Sequence, residues 1–229
     1  MTRTLLCAAL LAAAPAAIAQ DSDSPFSGSV ALFSDYVFRG LSQTDEKPAL
    51  QGSFTYTHDS GLYAGVWASN VDFGDGFGSG TELDTYIGFG TQMTDQLGLD
   101  LQLVRYNYAG LDDNNAFEYN ELLVNVNYNE IVTGTIGWSN DVFAGGENGL
   151  YLAVGASYPL SEALAINANV GRYSLPGEIA DYMDFGLGLS YELAPASLSL
   201  NFIGTDGDAR DTFGPVADNR VVAGVTFEF

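Results

Sequence analysis

Residues 221–229 read VVAGVTFEF, a stretch in which every second position is apolar. The first, third, fifth, seventh and ninth residues share one face, and the residues between them are Val, Gly, Thr and Glu. A period of two is typical of a β-strand that buries one face. Residues two apart on a helix lie about 200° apart, so a helix would not present these apolar residues together. The stretch therefore predicts a strand at the end of the chain.

The same alternation recurs in about twelve segments of the chain. In the clearest example, residues 97–103, four leucines alternate with Gly, Asp and Gln. Three further segments are equally regular: 164–170, 183–192 and 197–202. The less regular segments are 27–38, 50–58, 61–70, 81–93, 117–128, 131–140, 150–158 and 219–229. The pattern predicts an all-β chain.

The connections between these strands alternate in length. Short turns follow the even-numbered strands, for example at residues 129–130. Longer loops rich in Gly, Asp, Asn or Pro follow the odd-numbered strands, for example at residues 72–80 and 204–218. Outer-membrane barrels combine long extracellular loops with short periplasmic turns on an even number of antiparallel strands. The loops therefore favour a membrane barrel.

A soluble β-sandwich is the alternative, because it shows the same alternation with its apolar face inside. Strand length favours the barrel: about ten residues at 3.3 Å each, tilted by about 45°, span roughly 23–24 Å, close to the apolar band of about 25 Å. A strand that ends on an aromatic residue, here Phe229, also resembles the closing strand of bacterial outer-membrane barrels. We expect a 12-stranded antiparallel up-and-down transmembrane β-barrel, closed by pairing of its first and last strands.

The N-terminus has the pattern of a secretory signal peptide. Arg3 precedes an apolar stretch at residues 5–14, and residues 17–19 read AIA, an A-x-A cleavage site. The apolar stretch is too short to span a bilayer core of about 30 Å. We expect a signal peptide at residues 1–19 and a barrel at residues 20–229, located in the bacterial outer membrane. The only cysteine, Cys7, lies in the signal peptide, which excludes disulfides and thiolate metal sites from the mature chain.

The charge of the chain argues against nucleic acid as a partner. Its 29 acids and 7 bases give a formal net charge of −22, whereas binding to phosphates requires Lys and Arg. Acidic chains with few apolar residues are often disordered. Here the mean hydropathy is slightly positive, +0.08, and 13 % of the residues are aromatic. The charges must therefore be segregated from the apolar surface.

Two segments carry a resemblance to a known family. They are SDYVFRGLSQT at residues 34–44 and PALQGSFTYTHDSGLYAGVWASNV at residues 48–71. They resemble the TorF family of porin-like proteins, also described as a conserved proteobacterial domain of unknown function. The resemblance covers most of the mature chain and implies an outer-membrane location and a channel. The family offers no established catalytic or ligand-binding residues that apply here.

A lumen enclosed by twelve strands should be narrow or partly occluded, since about eight strands leave an interior filled by side chains and about sixteen to eighteen leave an aqueous channel. We expect a porin-like channel for ions or small polar solutes, which favours cations because its inner positions carry acids and hardly any bases. The alternative is a plugged structural or interaction barrel without transport activity. The predicted pore-lining residues are Asp100, Gln102, Glu121, Asn167, Asn169, Asp184, Ser190, Glu192, Ser199 and Asn201.

The sequence offers little for catalysis. An outer-membrane lipid hydrolase would combine a histidine with a serine and an acid. The only histidine, His58, is followed directly by Asp59 and Ser60 in a tight turn, from which the three side chains cannot readily converge. We therefore predict no enzymatic activity, no cofactor and no metal site.

The basic residues of the predicted mature chain all fall in long loops or at the strand ends beside them. Arg105 and Arg172 continue the apolar faces of their strands, so we expect both to point outward and to contact lipid A phosphates through the planar guanidinium group. The alternative is that water solvates them at the rim. Arg220 has the opposite parity and should face the lumen. The expected partners are outer-membrane lipid and lipopolysaccharide, small polar solutes or ions, and the barrel-assembly machinery through the strand that ends at Phe229.

Overall fold

Twelve antiparallel strands close into a barrel in the computed structural model, which describes residues 24–74, 77–111, 117–177 and 179–229. The predicted signal peptide, residues 1–19, lies outside the described residues. The wall consists of β1 (Phe26–Phe33), β4 (Ala49–Thr57), β5 (Leu62–Asp72), β6 (Ser79–Gln92), β7 (Leu97–Ala109), β8 (Tyr119–Tyr128), β9 (Val132–Ser139), β10 (Gly149–Pro159), β11 (Leu164–Ser174), β12 (Tyr182–Leu193), β13 (Ala196–Thr205) and β14 (Arg220–Glu228). Two short strands, β2 (Val37–Phe38) and β3 (Leu41–Ser42), pair only with each other. The predicted 12-stranded barrel is confirmed.

The first and last wall strands close the sheet. β1 pairs antiparallel with β14 from Ser29 opposite Glu228 to Phe33 opposite Gly224. Beyond this ladder, the backbones of Gly28 and Phe229 exchange two hydrogen bonds, of 2.8 Å and 3.0 Å. The predicted closure is therefore confirmed, and it leaves no strand edge in the wall.

The apolar face of the sheet points outward. On β12, Met183, Phe185 and Leu187 are 44 %, 38 % and 54 % exposed, whereas Tyr182 and Asp184 are each 2 % exposed. A soluble sandwich would bury its apolar face, so this orientation excludes that alternative and is the one required in lipid.

The polypeptide departs from the predicted first strand at residue 34. The sequence pattern predicted a strand over residues 27–38, but β1 ends at Phe33 and the chain turns into the barrel. Residues 37–42 form a hairpin, here called the inward hairpin, whose two-residue turn is Arg39-Gly40. Both turn residues have positive φ, 49° and 83°. Such turns match the twist of the strands that they join, so a local turn overrides the two-residue alternation at this point.

The remaining regular structure is short. It comprises one helix, α1 (Gly207–Phe213), and two 3-10 turns, Val142–Ala144 and Gly214–Ala217. Asp206 caps α1, since its side chain accepts a hydrogen bond of 3.1 Å from the backbone N–H of Ala209. No helix among the described residues is long and apolar enough to cross a membrane.

Candidate functional site

The inward hairpin crosses the lumen and contacts opposite sides of the wall. The ring of Tyr36, next to the hairpin, lies 5.3 Å from Trp67 on β5, and the ring of Phe38 lies 6.1 Å from Tyr106 on β7. At the far side, a Cβ at Gly40 would lie 2.5 Å from Thr205 on β13 and 2.9 Å from Asp184 on β12. Only glycine fits both this close approach and the positive φ of the turn. The hairpin therefore occupies the lumen at this level.

Arg39 fixes the tip of the inward hairpin to the wall. The residue is 4 % exposed, and its Nη2 donates a hydrogen bond of 2.7 Å to Glu121 Oε2 on β8. Tyr106 donates to the same oxygen at 3.0 Å. A Cβ at Gly137 would lie 2.9 Å from both Arg39 Nη2 and Glu121 Oε1, so the missing side chain on β9 leaves space for the ion pair.

Aromatic faces surround the same guanidinium group. Its carbon lies 4.6 Å from the ring centre of Phe38, 4.2 Å from that of Tyr151 and 4.5 Å from that of Tyr173. Cation–π contacts of this kind strengthen when the cation is removed from water. The carboxylate and the three rings together hold this buried base.

A second ion pair anchors the base of the inward hairpin. Arg220 on β14 donates from Nη1 to Asp35 Oδ2 at 2.9 Å, and its side chain is only 8 % exposed. The hydroxyls of Ser42 and Thr44 donate to Asp35 Oδ1 at 2.7 Å and 2.9 Å. Arg220 thus points inward, as its parity predicts, and joins the last wall strand to the segment after the first.

Tyrosines fill the half of the lumen beside the long loops. Tyr106 and Tyr119 stack with ring centres 4.5 Å apart, and Tyr151 donates a hydrogen bond of 3.0 Å to Asp184. The buried members of this group are Tyr106, Tyr119, Tyr151, Tyr173 and Tyr182. The half beside the short turns contains Tyr63 and Tyr86 but otherwise carries small and polar inner residues, joined by hydrogen bonds such as Asn167 to Ser190 at 3.2 Å. The two halves of the lumen therefore differ in bulk and polarity.

The buried charges on the inner face are mostly negative. Among the described residues, five acids are buried, against the side chains of two arginines, Arg39 and Arg220. The acids are Asp35, Glu82, Asp84, Glu121 and Asp184. Sequence reasoning missed Glu82 and Asp84, although they alternate with the outward Leu83 and lie in the segment predicted at residues 81–93.

The predicted pore-lining residues all occur on wall strands with inward parity. Six of them are buried: Gln102, Glu121, Asn167, Asp184, Ser190 and Asn201. Asp100, Asn169 and Ser199 are half-buried, and Glu192 is exposed near a short turn. The structure joins some of them through hydrogen bonds, such as Asn169 to Asp184 at 3.3 Å. Their role in a pore stays a prediction.

A family model matches residues 17–227, almost the whole chain, and its description is a bacterial protein of unknown function, Gcw_chp. The chain belongs to this family. The match does not carry the TorF name, so the resemblance to TorF stays a prediction. No sequence among the curated proteins matches the chain.

The fold is similar to that of solved porins. The KdgM porin has a TM-score of 0.58 at 7 % identity, covering 89 % of this chain and 99 % of its own. The NanC porin has a TM-score of 0.55 at 10 % identity, covering 88 % and 98 %. A structure described as KdgM porin in complex with disordered oligogalacturonate has a TM-score of 0.54 at 8 % identity, covering 89 % and 98 %. At such low identity the similarity shows the barrel fold that this Gcw_chp protein shares with them.

Arg105 and Arg172 point outward near the long loops, and each is paired with an acid. Arg105 contacts Glu118 at 2.5 Å, with 38 % of its side chain exposed. Arg172 contacts Asp181 at 3.1 Å, with 62 % of its side chain exposed. The hydrogen bond from Arg172 lowers the pKa of the Asp181 carboxyl, which further favours its charged form. Contact with lipid A phosphates stays a prediction, and such a phosphate would compete with these carboxylates.

His58 lies in the turn between β4 and β5. Its Nδ1 is 2.9 Å from Ser60 Oγ, and both residues are exposed. This pair lies at the short-turn end, away from the tyrosine-filled half of the lumen. Among the described residues, no group of three or more His, Cys, Asp or Glu side chains is placed to hold a metal ion.

Proposed function

We propose that the protein is an outer-membrane channel for ions and small polar solutes, with the inward hairpin as its constriction and a preference for cations. The observation that carries the proposal is the combination of an apolar outer face with a polar, mainly acidic inner face. An apolar outer face suits a position in lipid. A polar inner face suits a water-filled path through it.

The half of the lumen beside the short turns supports a hydrated path. Asn167, Asn169 and Asn201 each have a buried side-chain oxygen without a hydrogen-bond partner among the described residues. Buried polar atoms in proteins are nearly always partnered by protein or by water. These oxygens therefore favour water in this half, and they lie below the constriction formed by the hairpin.

The preference for cations follows from the buried charges. Two of the five buried acids are already paired, Glu121 with Arg39 and Asp35 with Arg220. The other three have no basic partner among the described residues: Glu82, Asp84 and Asp184. Low-dielectric walls concentrate the field of such charges in the lumen and attract ions of opposite sign. The similarity to porin folds supports a channel, but the oligogalacturonate in one of those structures is an anion, which this inner face would repel.

The test is a reversal-potential measurement on the purified barrel in planar bilayers. Under a salt gradient, the wild type is expected to show cation preference, and a Glu82→Gln/Asp84→Asn variant is expected to show less of it. Arg172→Ala serves as a control because its outward side chain is too far from the lumen to affect the ratio. Anion preference in the wild type, or an equal ratio in the double variant, would contradict the proposal.

A plugged barrel without transport is the second candidate, and the inward hairpin favours it. Loop aromatics also cover the long-loop end of the lumen: Phe143 lies 5.6 Å from Tyr119, and Phe213 lies 5.6 Å from Tyr182. Single-channel recordings distinguish the candidates, because a plugged barrel would give no conductance steps above the background of the bilayer.

A protein in the outer membrane is expected to have two kinds of partner. Outer-membrane lipid and lipopolysaccharide would surround the apolar outer face, and the barrel-assembly machinery would engage β14 before it pairs with β1. Catalysis is not part of the proposal. The exposed turn at His58 lacks the enclosed, oriented base and nucleophile that a hydrolase requires.

A further inference from the structure

The lumen already binds one cation, which belongs to the chain itself. The guanidinium of Arg39 is held by the carboxylate of Glu121 and by three aromatic rings at 4.2–4.6 Å. Aromatic faces attract cations through the negative charge of their π-systems, and the attraction grows when water is excluded. A carboxylate beside aromatic rings is therefore the arrangement that this barrel uses to hold a nitrogen cation.

A second group of the same composition lies on β5, β6 and β7. Asp84 is directly opposite Trp67 on one side and Tyr106 on the other, and Glu82 is directly opposite Tyr108. Residues opposite each other on one face have Cβ atoms about 4.5–5.5 Å apart. Each carboxylate is therefore flanked by an aromatic side chain. We call these five residues the acidic cage.

No base of the chain neutralises the acidic cage. Glu82 and Asp84 are 2 % and 8 % exposed, and Glu82 Oε2 and Asp84 Oδ1 have no hydrogen-bond partner among the described residues. Every Lys and Arg after residue 23 belongs to the described part, and none of their ion pairs includes either acid. The hydroxyls of Tyr36 and Tyr108 hydrogen-bond the carboxylate of Glu82, and one oxygen of each acid is left without a partner. Such a buried oxygen is costly for a charged carboxylate, unless the group takes up a proton or a cation.

We propose that the acidic cage binds a small organic cation, an alkylammonium or guanidinium compound, as a subsite for solutes that enter the lumen. The inference rests on the proposed function, because it names a class of solute for the channel. The aromatic flanks favour a nitrogen cation over Na⁺, which is more strongly hydrated. A Ca²⁺ ion would need about six to eight oxygen ligands, and the cage offers two carboxylates.

The two tryptophans of the chain provide a direct readout of binding. Trp67 is part of the acidic cage, whereas Trp138 lies on the outer face and is 45 % exposed. In a Trp138→Phe variant folded in detergent micelles, Trp67 alone would report on the cage. Tetramethylammonium chloride and methylguanidinium chloride are titrated as probes, with sodium chloride at equal ionic strength as the reference.

The expected result is a saturable change in Trp67 emission with at least one organic cation and none with sodium chloride. Glu82→Gln/Asp84→Asn in the same background should weaken the apparent affinity at least about tenfold, because the charge partners are removed from a desolvated site. Asp59→Asn removes an acid from an exposed turn and should leave the affinity unchanged. Calorimetric titration of the wild type provides a second measurement that needs no tryptophan variant.

The inference would be overturned by no saturable response to either organic cation, by an equal response to sodium chloride, or by equal affinity in the double variant. An equal loss of affinity in Asp59→Asn would also overturn it, since the effect would then be one of net charge. Binding without conductance would contradict the proposed channel and leave the cage standing. Cation-selective conductance without binding would contradict the cage and leave the proposed channel standing.

Discussion

Replacing the inward hairpin, residues 37–42, by two glycines is expected to raise the single-channel conductance several-fold. The hairpin contacts β7, β8, β12 and β13, so it occupies most of the cross-section at its level. Its removal would leave a barrel of twelve strands in which the inner wall and the loop aromatics at the long-loop end limit the flow of ions. The measurement is single-channel recording in planar bilayers at fixed salt.

Two single substitutions extend this prediction, one as a second test of the hairpin and the other as its matched control. Arg39→Ala releases the tip of the hairpin from Glu121 and should raise the conductance or make it fluctuate between levels. Arg172→Ala also removes one arginine, but on the outer face, where 62 % of the side chain is exposed, and should leave the conductance unchanged. Wild-type conductance after removal of the hairpin would show that the constriction lies elsewhere.

Glu121→Gln is expected to lower the free energy of unfolding by about 3–5 kcal/mol. The substitution leaves the guanidinium of Arg39 buried without its carboxylate, and breaking a buried ion pair from one side typically costs this much. The measurement is urea-induced unfolding in lipid vesicles, followed by tryptophan fluorescence.

Two further variants identify the cause of such a loss. Glu118→Gln breaks the half-exposed pair with Arg105 and should cost only about 0–1 kcal/mol. Arg39→Met combined with Glu121→Gln removes the buried charge and should recover most of the lost stability. Equal losses for Glu121→Gln and Glu118→Gln would contradict the role of burial, and so would a double variant that is no more stable than Glu121→Gln.

The barrel itself was predictable because lipid imposes a simple rule on each wall strand. Outward residues must be apolar and inward residues are small or polar, so the two faces separate cleanly in segments such as residues 97–103 and 183–192. The alternating loop lengths then give the topology. Sequence reasoning therefore placed twelve strands and their closure correctly, and its errors were confined to the strand ends.

The lumen was less predictable because no such rule applies to its interior. The stretch after Phe33 contains Tyr36, Val37 and Phe38, aromatic and β-branched residues that are frequent in strands, so the sequence alone extended the first strand. The Arg39-Gly40 pair was a signal for a tight turn, since Gly readily adopts positive φ. The partnership of Arg39 with Glu121 joins residues 82 positions apart, and no local pattern predicts it.

Arg220 links the closure of the barrel by β14 to the segment after β1 that enters the lumen. β14 is the last strand of the chain, and its first residue pairs with Asp35, while Ser34 and Ala223 exchange hydrogen bonds of 2.8 Å and 3.0 Å beside them. A barrel that closed before the segment after β1 had folded inward would bury Arg220 without its carboxylate. The seam between β1 and β14 is therefore complete only when the segment after β1 lies inside the barrel, because that segment supplies the partner of Arg220.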